Sequence, residues 1–190
     1  HLERIFITMA SFPFLRNRNS FNQLANKAFP PSQQGPLRDA FCLEAGVKST
    51  ATGKTSDATL ALDTDLVIPD IIAGVPYLIE ALLFTTATAN GSIALNQAGG
   101  TVVASTYTGY TSFVTAAGAA TTIIDVSALN TAQNPTNAAF VRVLHRAIGI
   151  FSTGGSYGIQ WAQSDSHTDT TTVGIGSYVT AEPLTALYSR

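Results

Sequence analysis

The chain has 190 residues, of which 45 % are apolar and 12 % charged, with a formal net charge of −2. That length suits one medium domain able to bury a core without covalent staples, and the apolar share excludes an intrinsically disordered chain. A single cysteine, Cys42, excludes an internal disulfide and a multi-cysteine metal site, and no stretch reaches the ~20 apolar residues that cross a bilayer as a helix.

Charge is divided along the chain. Residues 1–54 carry seven Lys/Arg against three Asp/Glu, a net of +4, and residues 55–190 carry three against nine, a net of −6. The basic charges are scattered rather than clustered, which favours a solvated segment over a nucleic-acid grip. The low overall charge points to a protein that hides surface against other subunits.

Residues 1–50 read as an N-terminal arm. Met9-Ala10 makes a more natural start than His1, so residues 1–8 are read as leader, tag or processed sequence. Phe12, Phe14, Leu15, Phe21, Leu24 and Phe29 stand among Arg16, Arg18 and amide residues. Phe21, Leu24, Ala25 and Ala28 recur at helical spacing, which predicts one short helix over residues 20–28 with Ser20 as its cap. Pro30-Pro31 stops it. An arm this short cannot bury its own aromatics, so Phe12, Phe14, Arg16, Arg18, Phe21, Leu24 and Phe29 are the candidate partner-anchoring residues. Cys42 lies between Phe41 and Leu43, the setting of an inert buried thiol.

Residues 51–190 read as a β domain. Ala51-Thr52-Gly53-Lys54-Thr55 lacks the glycine spacing of a phosphate loop and reads as a linker. Residues 57–68 place Leu60, Leu62 and Leu66 on a common face. Gly74-Val75-Pro76 is a turn into a strand at 77–88, and Asn90-Gly91 is a hairpin signal returning through 92–96. Ala98-Gly99-Gly100 reads as a turn, followed by strands at 101–106, 110–115 and, past Gly118, 121–126. After a loop at 129–138, Phe140–Phe151 alternates Val141, Val143 and His145 against Arg142, Leu144 and Arg146. Gly154-Gly155 leads to a strand at 157–163, a polar loop at 164–170 and a last strand at 172–181. About eight strands with turn residues between them and no helical periodicity predict an all-β, jelly-roll-like antiparallel sandwich.

A resemblance follows from these segments. Asp63 to Leu66, Gly74, Tyr77 to Phe84, Val141 to Arg146, Gln160 to Gln163 and Gly176 to Tyr178 stand in the order found in a virion jelly-roll domain of tailed bacteriophages. The chain resembles that family over residues 57–181. The resemblance implies a homotrimer on the outer surface of the phage head, made in the host cytoplasm, with no catalytic role, no cofactor and no membrane or direct nucleic-acid partner. The implied role is that of a capsid decoration (cement) protein, with the arm on the major capsid protein or another virion protein. The alternative is a head-fibre or tail-fibre module that binds a surface glycan through loops 98–100, 129–138 and 164–170.

Chemistry-bearing residues are sparse. Asp165, His167 and Asp169 alternate, but a polar loop of this composition favours solvation over a cation site. His145 reads as a hydrogen-bonded core or interface histidine. Glu80, alone in an apolar strand, points outward or pairs with Arg142 or Arg146 across the sheet. Trp161 and Tyr157 read as core residues ahead of a sugar platform.

Overall fold

The computed structural model describes residues 44–88, 92–115, 121–135 and 138–184. The arm's predicted helix and anchoring residues, Phe12, Phe14, Arg16, Arg18, Phe21, Leu24 and Phe29, with Cys42, lie outside the described residues. Among the described residues no helix is long and apolar enough to cross a membrane.

Among the described residues, eleven strands make two antiparallel sheets. They are β1 (Glu44–Val47), β2 (Thr52–Thr55), β3 (Ala61–Ile71), β4 (Pro76–Thr86), β5 (Ile93–Gly100) and β6 (Val103–Thr115). The rest are β7 (Thr121–Val126), β8 (Phe140–Thr153), β9 (Gly155–Gln163), β10 (Thr170–Val173) and β11 (Tyr178–Pro183). The large sheet runs β1-β11-β4-β8-β6-β7, with β10 pairing both β4 and β2, and the small sheet runs β3-β9-β5.

Four of these strands are halves of two longer, interrupted ones. β10 and β11 both pair with β4, at Thr85–Thr86 and at Tyr77–Leu82 respectively. Between them the backbone turns at Gly176, whose φ of 82° suits glycine. Across the gap the Ser177 hydroxyl accepts from the Phe84 amide at 3.0 Å, and the Gly174 amide donates to the Phe84 carbonyl at 2.7 Å. β1 and β2 follow the same line, joined by the Lys48 amide donating to the Ser177 carbonyl at 2.8 Å.

Counting those halves together, the first strand lies beside the last, then β4, then β8. In the small sheet β3, β9 and β5 are followed by Gln133, which bridges Leu95 through two backbone hydrogen bonds in place of a fourth strand. This is the jelly-roll order. The β6–β7 hairpin is an addition that widens the large sheet beyond β8.

The core fills the space between the sheets. Tyr77, Ile79, Leu83, Phe113, Phe140 and Phe151 meet Leu66, Ile68, Leu95, Tyr157 and Trp161, all essentially fully buried. Each such side chain stabilises the fold by roughly 1.5–3 kcal/mol through burial. Phe151 sits 6.4 Å from the Tyr77 ring and 6.2 Å from the Tyr157 ring.

The antiparallel sandwich agrees with the sequence reading, and several details differ. Glu44–Val47 and Lys48 belong to the large sheet, so the sandwich includes residues that were assigned to the arm. The supposed linker is edge strand β2, paired with β10. The two strands expected at 101–106 and 110–115 are one strand, β6, while the last strand is split. Ala98–Gly100 ends β5 rather than turning. Asn90 and Gly91 lie outside the described residues, and the strands on either side of them, β4 and β5, belong to different sheets rather than pairing with each other. Finally, β3 does not hold one face: its pairing with β9 shifts between Leu62 and Val67. A shift of this kind reverses which side chains point inward. Asp63 and Leu66 are therefore buried while Leu62 is 40 % exposed.

Candidate interaction surface

The interior holds a closed polar cluster linking the two sheets. Tyr107 and Thr111 on β6 and His145 on β8 come from the large sheet, Gln97 on β5 and Tyr157 on β9 from the small one, and Gln133 from the segment bridged to β5; all are buried. The Tyr107 hydroxyl lies 2.8 Å from that of Tyr157 and 2.7 Å from His145 Nε2. On the other side of the ring, His145 Nδ1 lies 3.0 Å from Thr111 Oγ1, which donates to Gln133 Oε1 at 2.8 Å. The Gln133 amide in turn donates to Gln97 Oε1 at 2.9 Å. One proton order satisfies the chain: Tyr157 donates to Tyr107, Tyr107 to Nε2, and Nδ1–H to Thr111. Burial drives the His145 pKa from 6.5 down to about 4, with a backbone hydrogen bond at Tyr110 opposing it. Burial also raises both tyrosine hydroxyls. These groups are neutral, mutually satisfied and sealed from solvent, so the cluster specifies how the sheets meet rather than offering a base to a substrate.

A second cluster ties the end of β1 to β3. Lys48 Nζ lies 2.9 and 2.7 Å from the two carboxylate oxygens of Asp63, and Trp161 Nε1 donates to Asp63 Oδ2 at 2.9 Å. Lys48 is 2 % exposed and Asp63 is 7 % exposed. Lys54, on β2, stands 5.7 Å from the Trp161 ring centre and pairs with Asp57 at 2.9 Å. Sequence reasoning missed this pair because the bulge in β3 decides that Asp63 points inward.

The polar loop places its three candidate ligands apart in role. His167 Nδ1 accepts the Asp169 backbone amide at 3.1 Å, and Asp169 accepts from the Thr88 hydroxyl at 2.6 Å. Gln163 Nε2 donates to the Asp169 carbonyl at 2.6 Å. The loop is thus tied into its own turn, and no group of three His, Cys, Asp or Glu gathers among the described residues. A cleft of about 530 Å³ lies along Val102, the start of β6 (Val103 to Thr108) and residues 127–130.

What stays open is the outward face of the large sheet. Its strands bring Val47, Tyr178, Leu82, Leu144, Ser112 and Ile123 into one cross-strand row from β1 to β7. The neighbouring row is Ala45, Thr180, Glu80, Arg146, Tyr110 and Asp125. Leu78 and Ile148 lie on one side of these rows, Phe84, Arg142 and Val114 on the other. Val47 is 58 % exposed, Ile123 63 %, Ile148 48 % and Phe84 41 %. A solvated antiparallel face is ordinarily polar; this one presents an aliphatic or aromatic side chain on each of β1, β11, β4, β8, β6 and β7. Glu80 pairs with Arg146 at 3.6 Å on this face, as one of its two expected arrangements required. The sequence carried a partial signal for the face: Leu78, Leu82 and Phe84 in β4, with Leu144 and Ile148 in β8, are apolar at the alternating positions that also hold Glu80, Arg142 and Arg146.

No protein-family model matches the chain, and no curated protein matches it in sequence. Solved structures that align with it include the infectious bursal disease virus VP2 subviral particle, at 12 % identity over 73 % of this chain and 38 % of that one, with a TM-score of 0.21. The structures of the Gx and Gt strains of that virus align at 12 % and 8 % identity, with TM-scores of 0.21 and 0.19. They cover 76 % and 78 % of this chain and 41 % of each viral chain. The chain spans less than half the length of these viral proteins, and a likeness at this level assigns it to no family.

Proposed function

We propose that the chain is a non-enzymatic structural protein of a virus particle, a capsid decoration protein of the tailed-bacteriophage kind. In this reading the sandwich assembles as a homotrimer on the outside of the head. The arm, through Phe12, Phe14, Arg16, Arg18, Phe21, Leu24 and Phe29, anchors on the major capsid protein. The observation that carries it is the contrast between the two surfaces of the large sheet. Inside, the buried titratable groups are paired and sealed; outside, aliphatic and aromatic side chains interspersed with a few charges run across the six strands β1, β11, β4, β8, β6 and β7, a surface that calls for another protein. A charged fraction of 12 %, about half the usual share, fits a chain that works covered by neighbours.

The test is binding of the full-length chain to particles of the source virus stripped of it. Wild type rebinds and co-sediments, and the Phe12→Ser/Phe14→Ser variant stays in solution. A chain that never co-sediments overturns the decoration role. The second reading, a glycan-binding fibre module, draws on the cleft beside loop 129–138, lined by Ser105, Thr106, Thr108, Ser127 and Asn130. Glycan-array binding that Asn130→Ala abolishes would favour that reading.

A further inference from the structure

The outward face of the large sheet is laid out to fit itself. β4 and β8 lie at its middle and are register partners: Leu78 opposes Ile148, Glu80 opposes Arg146, and Leu82 opposes Leu144. A two-fold axis lying in the contact and running along the seam between these strands exchanges them, setting β4 of one copy over β8 of the other. Leu82 then faces the other copy's Leu144, Leu78 faces Ile148, and Glu80 faces Arg146, each contact occurring twice. The four charges alternate in sign around the axis. Arg146 meets Glu80 of its own chain through a single 3.6 Å contact, and a guanidinium carries further N–H donors for a second carboxylate.

Size and charge both favour a second copy as the occupant. Six strands about 4.8 Å apart, over a height of roughly 30 Å, offer on the order of 800 Å² per copy, the area that a stable pair buries. Residues 55–190 carry a net of −6, yet this face collects Arg142 and Arg146 beside Glu80, Asp125 and Glu182, close to neutral. A polyanion or a strongly charged protein would need an excess of one sign here, whereas a copy of the same chain needs balance.

We propose that this face is a two-fold contact between copies of the chain, centred on Leu82, Leu144 and the Glu80–Arg146 pair. The proposal rests on the reading of the protein as one that works in many copies, and it is independent of how the trimer closes.

Light scattering on the full-length protein tests it, with circular dichroism to confirm the fold of each variant. Leu82→Asp/Leu144→Asp halves the wild-type mass. Glu80→Arg alone brings four guanidiniums together around the axis, and Arg146→Glu alone brings four carboxylates. Each weakens pairing at least tenfold, and Glu80→Arg/Arg146→Glu restores it. A wild-type mass of 19.9 kDa at all concentrations overturns the proposal, as does an unchanged mass in the folded leucine variant. A single-copy wild type that still binds particles sinks the pairing and leaves the structural role standing. Pairing without particle binding does the reverse.

Discussion

The Tyr107 hydroxyl lies 2.7 Å from His145 Nε2, at the centre of a chain of hydrogen bonds that ends on Tyr157 in the opposite sheet. The ring must stay neutral to accept that hydroxyl. Its folded pKa is about 4, against 6.5 for the free side chain. Above pH 6.5 neither state is protonated and the full stability is present. As pH falls below 6.5 the unfolded chain takes up a proton that the folded one refuses, so stability drops until about pH 4. The loss is on the order of 3 kcal/mol. Urea midpoints of wild type should fall between pH 7 and pH 4.5 by more than those of His145→Gln; parallel profiles would contradict this.

Lys48 and Asp63 form an ion pair inside the protein, and breaking one side strands the other. Lys48→Met should lower unfolding stability by about 3–5 kcal/mol, and Lys48→Met/Asp63→Leu by less than Lys48→Met alone. Denaturant unfolding of the two variants checks the order. A double variant that loses the sum of both singles would show the two residues acting independently.

At Gly46 the backbone of β1 lies directly against that of β3 in the other sheet. A Cβ there would stand 2.7 Å from the Val67 backbone nitrogen and oxygen, atoms that cannot swing aside. Gly46→Ala should cost about 1–3 kcal/mol in thermal or urea unfolding. An unchanged midpoint would mean that β1 moves freely from β3.

Since β1 and Lys48 are parts of the sandwich, truncation should be sharply position-dependent. A chain starting at residue 44 should unfold at a clearly higher temperature than one starting at residue 51, which loses β1 and the partner of Asp63. Equal melting temperatures would return the boundary to residue 50.

The sequence made the strands legible because alternation survives wherever a sheet has one wet side, and β4, β8 and β9 were read close to their bounds. It was silent on which sheet each strand joins. Asn90-Gly91 signals a turn, but not that the chain crosses from the large sheet to the small one. The period-2 reading of Leu60, Leu62 and Leu66 failed at the bulge, which no local residue announces. The cluster of Gln97, Thr111, Gln133 and His145 was illegible as a whole, since its members come from separate segments and only the topology gathers them. His145 alone was readable, as a histidine on the inward side of an alternating strand. The outward face was half legible: Leu82, Leu144 and Ile148 stood out as apolar, but their alignment in rows needs the register.

The copy number of the chain in purified source particles, measured by quantitative mass spectrometry against the major capsid protein, tests the structural role most directly. A decoration protein is expected at a fixed whole-number ratio to the shell subunit. Its absence from particles would contradict the account, and a handful of copies per particle would point to a fibre instead.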